Sequence, residues 1–164
     1  MSEYTIQFGR LEDAELIHAL TQDAFSTYKS LPMPSSALQE TAAEVRAALD
    51  QQNMQVVLCA ASQGERVGCV RFSVQQDGLY FSRVAVAREW QGRGIAKRML
   101  AWLERFAEEQ GQRRLWCKVR AELPRNIELY RGQGYRIFYE ELVERAGERI
   151  ETLHMEKVIE PSEQ

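Results

Sequence analysis

Hydrophobic and polar positions follow two different periods in the first third of the chain. Residues 4–8 alternate with a period of two, which predicts a short first strand. From Asp13 onward the apolar residues instead recur at helical spacing. One face of this helix carries Ile17, Leu20, Ala24 and Tyr28. Prolines in residues 31–36 then predict a loop, because proline disfavours helix before itself and lacks an N–H donor.

A second helix is predicted to begin at Thr41. Thr41 is followed three residues later by Glu44, which is the spacing of a capping box. The apolar positions after this start also recur at helical spacing. They are Ala42, Val45 and Leu49. The sequence therefore predicts two helices before any long strand.

The middle of the chain is rich in strand patterns with short turns between them. The predicted strands are residues 55–61, 66–74 and 79–86. Residues 62–65 contain Gly64, and Asp77-Gly78 is a second turn signal. Sequential strands joined by short turns predict an antiparallel meander.

The last part of the chain alternates helix and strand patterns. A helix stripe contains Ile95, Met99, Trp102, Leu103 and Phe106, and Gly111 is a helix stop signal. Leu115 to Arg120 alternate as a strand, so strand, helix and strand predict a parallel crossover. Pro124 is expected in the first turn of a short helix that ends near Gly134. Residues 135–144 and 150–158 predict two final strands with a turn at Gly147.

Composition limits the class of protein. The 164 residues are 45% hydrophobic and 27% charged, which is typical of one globular domain spanning 1–164, with 160–164 as a frayed tail. The net charge of -3 argues against general nucleic-acid binding. No apolar stretch is long enough to span a membrane, and Met1–Tyr4 lacks the basic start of a signal peptide, so no membrane partner is expected.

The cysteines and histidines show no metal-binding spacing, and no metal is expected. Cys59, Cys69 and Cys117 lie in strand patterns, where a cysteine usually acts as a small hydrophobe in a reducing cytoplasm. A nucleophilic Cys117 is the alternative interpretation. His18 and His154 are expected at the surface or at strand edges.

The chemistry of the sequence concentrates in the turn that precedes Ile95. Gln91, Gly94 and Ala96 follow the pattern Gln-x-x-Gly-x-Ala at the predicted start of a helix. Glycine allows close approach of a ligand, and the first helical turn offers unpaired N–H groups to an anion. Four cations surround this start: Arg88, Arg93, Lys97 and Arg98. A bound polyanion such as a pyrophosphate would offset their unfavourable position at the positive end of a helix. The alternative is a tight turn with a solvated basic face.

With these elements in order, the chain resembles the GNAT-type N-acetyltransferase superfamily. The Gln-x-x-Gly-x-Ala turn is similar to the family's Arg/Gln-x-x-Gly-x-Gly/Ala signature. Residues 126–135, with Leu129, Tyr130, Gly134 and Tyr135, are similar to a second family motif. The resemblance implies an α/β (α+β) fold with a mixed, mostly antiparallel central sheet of about seven strands, flanked by about four helices.

The resemblance also implies the position of an acetyl-CoA co-substrate. Backbone groups of three strand residues would contact the acetyl and pantetheine parts, and the turn would bind the pyrophosphate. These residues are Val84, Ala85, Val86, Gln91, Gly92, Arg93, Gly94, Ile95, Ala96 and Lys97. Tyr130 matches the tyrosine that protonates the departing thiolate, although an aromatic residue on a short helix is often a core residue.

The sequence departs from the family pattern at two positions. Many members carry an asparagine seven positions before the tyrosine, where this chain has Leu123; Asn126, one turn before Tyr130, is then expected to contact CoA. A glutamate that often acts as general base is replaced by Lys118. Glu122 nearby, or a water relay, is the alternative route for the proton.

The resemblance predicts an acetyl-CoA-dependent N-acetyltransferase acting on a primary amine of a small molecule or peptide. The alternative is a catalytically weak CoA-binding module. Candidate acceptor-lining residues are Phe25, Tyr28, residues 31–36, Tyr80 and Tyr139, each of which is also explained by packing. Pairing through edge strands would allow a homodimer.

Overall fold

A computed structural model describes residues 3–28, 36–51, 54–145 and 147–160 of the chain. Its strands are β1 Tyr4–Phe8, β2 Gln55–Ala61, β3 Arg66–Gln75, β4 Gly78–Val86, β5 Arg114–Arg120, β6 Arg136–Arg145 and β7 Glu148–Val158. Its α-helices are α1 Ala14–Phe25, α2 Ala42–Asp50, α3 Ile95–Glu109 and α4 Pro124–Gly132. The element order predicted from the sequence is therefore confirmed. The strand boundaries differ from the predicted ones by at most two residues.

The strands form one seven-stranded sheet in the order β1-β2-β3-β4-β5-β7-β6. The pairs β1–β2, β2–β3, β5–β7 and β6–β7 are antiparallel. The pair β4–β5 is parallel, as the strand, helix and strand order predicts. The prediction of a mixed, mostly antiparallel sheet with helices is confirmed.

Local side-chain chemistry explains where the first two helices begin and end. Thr41 Oγ1 accepts a hydrogen bond from the N–H of Glu44, and Glu44 Oε1 accepts one from the N–H of Thr41, so the capping box is present at α2. The sequence pattern extended the first helix to Tyr28, but α1 ends at Phe25 and residues 26–28 form a tighter helical turn. Ser26 and Thr27 donate their hydroxyls to carbonyls three residues back, which competes with continued α-helix.

The chain groups into two compact units. The first comprises Met1–Ser73 and Arg83–Trp102, and the second comprises Val74–Ser82 and Leu103–Gln164. The prediction that residues 1–164 act as one domain stays a prediction. Among the described helices, none has both the length and the apolar character needed to cross a membrane.

Each unit has its own buried apolar residues. In the first unit, α1 and α2 pack on β2 and β3 through Ala14, Ile17, Leu20, Val45, Val56, Leu58 and Cys69. In the second unit, three aromatic rings pack together, with Phe81 5.9 Å from Tyr130 and 5.7 Å from Tyr135 between ring centroids. These cores fix the strands and helices that carry the candidate site residues.

Candidate active site

The turn before α3 is closed by a side chain and two glycines. Gln91 Nε2 donates a hydrogen bond of 3.0 Å to the carbonyl of Val86, which ties the turn to the end of β4. Gly92 has φ 83° and Gly94 has φ 80°, in the left-handed region. An added Cβ at either glycine would meet no atom within 4 Å, so backbone conformation requires glycine here, and the space beside the turn is open.

The N-terminus of α3 offers hydrogen-bond donors to a ligand. The first helical hydrogen bond runs from the N–H of Arg98 to the carbonyl of Gly94 at 3.1 Å. The N–H groups of Ile95, Ala96 and Lys97 therefore precede the helical hydrogen-bond ladder. The positive end of the helix dipole adds to the attraction of an anion at this position. These features are suited to binding an anion.

A glycine in β3 allows α3 to lie close to the sheet of the first unit. A Cβ at Gly68 would lie 3.0 Å from the carbonyl oxygen of Ala85 and 3.2 Å from Met99 Cε. The N–H of Ala87 donates to the carbonyl of Val67 at 2.9 Å, which holds the chain beyond β4 against β3. The absence of a side chain at Gly68 thus lets Ala85 of β4 and Met99 of α3 both lie close to β3.

The four cations at the helix start have different surroundings. Arg88 donates from its backbone N–H and from Nε to Asp23 at 2.9 and 3.3 Å, and so points to α1. Arg98 lies over the ring of Tyr4 at 5.1 Å. Arg93 lies 4.5 Å from the ring centroid of Trp90, and Lys97 is exposed. The sequence pattern predicts that these cations form one cluster. In the structure, Arg88 instead contacts α1 and Arg98 contacts β1.

The strand residues expected to contact acetyl-CoA follow a backbone irregularity. Arg83 has φ 53°, a conformation that is uncommon for residues other than glycine and costs energy. Val84 and Val86 are half-buried beyond it, and Ala85 is fully buried. In the second unit, the β4–β5 ladder consists of the pairs Leu79↔Leu115 and Tyr80↔Trp116. The parallel pairing therefore covers the first part of β4.

Tyr130 and Asn126 lie one turn apart on α4, in the second unit. Tyr130 is 7% exposed, and its ring packs against Phe81 and Tyr135, each at 5.9 Å. Burial raises the pKa of the neighbouring Tyr135 phenol, and Cys117 and Glu104 add to that effect. The carbonyl of Tyr130 accepts the N–H groups of Gln133 and Tyr135, which fixes the end of the helix. Tyr130 is thus held by packing at a defined position.

The cysteines are free and buried, as the sequence predicts. Burial raises the pKa of Cys69 to about 11 and raises the pKa of Cys117 further. A thiol with a raised pKa carries little thiolate at neutral pH and is a poor nucleophile. The alternative of a nucleophilic Cys117 is therefore unfavourable. Within the described residues, no group of three His, Cys, Asp or Glu side chains is placed to hold a metal ion.

The candidate acceptor-lining residues fall into two groups. Phe25 and Tyr28 make an edge contact at 5.6 Å in the first unit, while residues 31–35 lie outside the described residues. In the second unit, Tyr80 packs on Trp116 at 4.5 Å, and Tyr139 packs edge-on against His154 at 5.0 Å. Tyr139 is 54% exposed, so it lies at the surface of this group.

A polar pair between β6 and β7 was not predicted from the sequence. His154 Nε2 lies 2.8 Å from Glu141 Oε1, joining β7 to β6. The alternation of buried and polar residues along β7 indicates that His154 lies on the face opposite the buried Leu153 and Met155. The partner could not be read from spacing, since it depends on the register of β6 with β7. The alternative base Glu122 forms an ion pair with Arg120.

Comparisons with known proteins agree with this arrangement. Residues 14–135 match the Acetyltransferase (GNAT) family. The fold is similar to a GNAT-family acetyltransferase from Streptococcus pneumoniae, with a TM-score of 0.73 at 22% identity, covering 96% of this chain and 100% of that one. It is also similar to the ribosomal-protein-alanine N-acetyltransferase from Brucella melitensis, with a TM-score of 0.77 at 22% identity, covering 94% and 99%.

A third similar structure is a chimeric spermidine N-acetyltransferase from Vibrio cholerae and hSSAT, with a TM-score of 0.77 at 17% identity, covering 96% of each chain. A comparison with curated protein sequences gave no significant match. The structural likenesses describe the fold, and the family match covers most of the chain. On that match, this chain belongs to the GNAT family of acetyltransferases.

Proposed function

We propose that this protein transfers the acetyl group of acetyl-CoA directly to a primary amine of a small molecule or peptide. The observation that carries the proposal is the turn before α3. It combines a strand-anchored Gln91 with two left-handed glycines and the free N–H groups of a long helix. Such a turn is suited to the pyrophosphate of a CoA thioester.

In this proposal, the first unit holds the donor. The N–H groups of residues 92–97 bind the pyrophosphate, and Arg93 and Lys97 supply positive charge beside it. Backbone groups of Val84, Ala85 and Val86 bind the pantetheine and polarise the thioester carbonyl. A backbone N–H directed at the carbonyl oxygen stabilises the negative charge that develops there during attack. Acetyl-CoA supplies the activated acetyl group.

Two residues of α4 are proposed to act on the sulfur side. Tyr130 donates its phenolic proton to the thiolate as the C–S bond breaks, and Asn126 contacts CoA one turn earlier. The buried packing of Tyr130 against Phe81 and Tyr135 supports this role, because a proton donor must be held at a fixed position. Direct transfer from a thioester to an amine needs no covalent enzyme intermediate and no metal.

The acceptor is proposed to be a primary amine. Similar structures include a spermidine N-acetyltransferase and a ribosomal-protein-alanine N-acetyltransferase. A polyamine and an alanine-starting peptide are therefore the first two acceptors to test. Residues 1–164 are proposed to work as one cytoplasmic acetyltransferase domain, with pairing through an edge strand as the route to a homodimer.

A second candidate function is a CoA-binding regulatory module with little turnover. It is favoured by the exposed cation Lys118 on β5 and by the pairing of Glu122 with Arg120, which leave both expected base positions without a free carboxylate. This candidate predicts CoA binding without release of thiol.

The test mixes purified protein with acetyl-CoA and either spermidine or an alanine-starting peptide and measures free thiol with time. The proposal predicts thiol release that depends on both protein and amine, with an acetylated product of the expected mass. Binding of acetyl-CoA without acetylation of any amine in a wider panel would favour the regulatory module instead.

A further inference from the structure

Three strands of the second unit place a histidine, a carboxylate and a lysine side by side. His154 on β7 lies opposite Lys118 on β5 and opposite Tyr139 on β6 in the antiparallel registers. Residues directly opposite in an antiparallel pair present their side chains on the same face. Glu141 of β6 lies on this face too, because its carboxylate reaches the His154 ring. We call His154, Glu141 and Lys118 the β5–β7 polar cluster.

The imidazole of His154 is held at a fixed position by aromatic rings. It stacks on Trp116 with centroids 5.8 Å apart and an interplanar angle of 24°. Tyr139 and Phe138 contact it edge-on at 5.0 and 5.9 Å. The His154 side chain is only 12% exposed. An imidazole fixed in this way keeps its two nitrogens in constant directions.

The hydrogen bond to Glu141 determines which nitrogen carries the proton. The pKa of Glu141 lies below its ordinary value, chiefly because of its hydrogen bond with the His154 ring; desolvation opposes this, and electrostatic attraction from His154 and Lys118 adds to it. Glu141 is therefore ionised at neutral pH, and an ionised carboxylate only accepts hydrogen bonds. Nε2 of His154 must then carry the hydrogen at 2.8 Å from Glu141 Oε1. In the neutral ring this leaves the lone pair on Nδ1.

We propose that His154 is the proton acceptor for the amine, with Nδ1 receiving the proton and Glu141 holding the imidazole through Nε2. This inference rests on the proposed acetyltransferase function and extends it by naming a residue that was expected from the sequence only at the surface or at a strand edge. A histidine oriented by a carboxylate is a common arrangement for proton transfer near neutral pH.

Other carboxylates near β5 are already engaged by cations. Glu122 pairs with Arg120. Glu156 accepts hydrogen bonds from Arg114 and Arg136, both at 2.7 Å, and these hold its pKa below the ordinary value. In contrast, Glu141 accepts from an imidazole, whose second ring nitrogen takes no part in that hydrogen bond. The carboxylate of the β5–β7 polar cluster is thus paired with a side chain that can exchange protons, which an arginine cannot do.

The proton balance follows from the chemistry. An acceptor amine with a pKa near ~10 binds largely as an ammonium ion and has no lone pair for attack. Transfer of one proton to Nδ1 frees the lone pair, which forms the C–N bond while the C–S bond breaks. Once the C–N bond has formed, the amine nitrogen loses a second proton to the Tyr130 oxygen, which restores the proton that Tyr130 gave to sulfur. His154 releases its proton to solvent. One amide, one thiol and one proton result.

The charged and titratable groups that face His154 come from all three strands. They are Glu141 and Tyr139 on β6, Lys118 and Arg120 on β5, and Glu156 on β7 itself. Glu141 and Lys118 carry opposite charges and lie on the two strands that flank β7.

The experiment measures kcat/KM as a function of pH for wild type, His154→Gln and Glu141→Gln. The acceptor is spermidine or the alanine-starting peptide, depending on which one the wild-type protein acetylates faster. His154→Gln is expected to lose roughly 100-fold or more near neutral pH. The deficit is expected to shrink as pH approaches ~10, where solvent has already deprotonated the amine. The matched control is His18→Gln, which removes the other histidine of the chain and is expected to keep the wild-type profile.

Two additional measurements separate this inference from the proposed function and from misfolding. Calorimetric titration with acetyl-CoA is expected to give the same affinity for wild type and His154→Gln. NMR of the imidazole nitrogens in wild type is expected to show the Nε2–H form for the neutral ring. Equal activity in His154→Gln, a deficit that is constant across pH, or an Nδ1–H ring would overturn the inference. Lack of turnover by wild type would contradict the proposed function itself.

Discussion

The side chain of Gln91 ties the helix start to the end of the preceding strand through a 3.0 Å hydrogen bond from Nε2 to the carbonyl of Val86. The bond acts together with the local backbone hydrogen bonds from Trp90 to Ala87 and from Gln91 to Arg88 in setting the path of this turn. The bond therefore holds the turn that is proposed to bind pyrophosphate against the end of the strand that is proposed to bind pantetheine.

Replacing Gln91 with alanine is expected to weaken acetyl-CoA binding. The lost hydrogen bond contributes about 0.5–1.5 kcal/mol, which corresponds to a Kd increase of roughly 2- to 10-fold. Gln91→Arg keeps N–H donors at this position and is expected to retain most of the affinity. Calorimetric titration with CoA checks both variants, and equal affinity of Gln91→Ala and wild type would contradict the role of this bond.

Gly94→Ala tests the left-handed turn. An alanine at φ 80° is expected to cost about 1–2 kcal/mol of stability. Gly64→Ala is the matched control, because Gly64 has φ 88° in the β2–β3 turn and also has open space around it. Thermal unfolding should show similar losses in both variants, whereas CoA affinity should fall in Gly94→Ala alone. A parallel fall in both variants would assign the effect to stability rather than to the site.

Tyr130→Phe tests the proposed proton donor. The phenylalanine ring keeps the packing against Phe81 and Tyr135, so the fold is expected to persist. Loss of the hydroxyl is expected to lower kcat by roughly 100-fold or more while CoA affinity stays unchanged. Thiol-release kinetics and calorimetry measure the two quantities separately. Wild-type turnover in this variant would remove Tyr130 from the mechanism.

Arg71→Met tests a buried ion pair that supports the first unit. Arg71 is 3% exposed, and it donates to Glu40 Oε2 at 2.7 Å and to Thr21 Oγ1 at 3.1 Å. Removing one partner of a buried pair is expected to cost about 3–5 kcal/mol, because the other charge is left without compensation. Urea unfolding measures this loss, and replacing Glu40 with methionine as well should recover part of it.

The exposed Arg66 on the same strand provides the control for that experiment. Arg66→Met is expected to change the free energy of unfolding by less than about 0.5 kcal/mol. If Arg71→Met were equally mild, the pair would not be a stabilising contact of the first unit.

The fold was largely predictable because its signals are local. The period-two pattern of residues 4–8 and the capping box at Thr41 each depend on neighbours in sequence, and both predictions are confirmed. The turn at Gln91 was recognisable for the same reason. Positive φ at Gly92 and Gly94 is what a glycine pattern at a strand-to-helix turn predicts.

The rest of the site depends on contacts between residues distant in sequence. The pairing of Arg88 with Asp23 joins residues from two elements, and no spacing rule indicates it. The His154–Glu141 contact depends on the β6–β7 register, which includes an irregularity between Ile137 and Tyr139. A shift of one residue in that register would have placed Glu141 on the other face. Such details become visible only in three dimensions.

Calorimetric titration of the full chain with acetyl-CoA tests the central claim most directly. The turn before α3 predicts saturable binding of one acetyl-CoA per chain, with a Kd in the range of typical enzyme substrates, roughly 1 μM to 1 mM. Binding should weaken as salt concentration rises, because the pyrophosphate is held partly by exposed cations. Absence of any binding at millimolar acetyl-CoA, by a protein that is folded in the same buffer, would contradict the account.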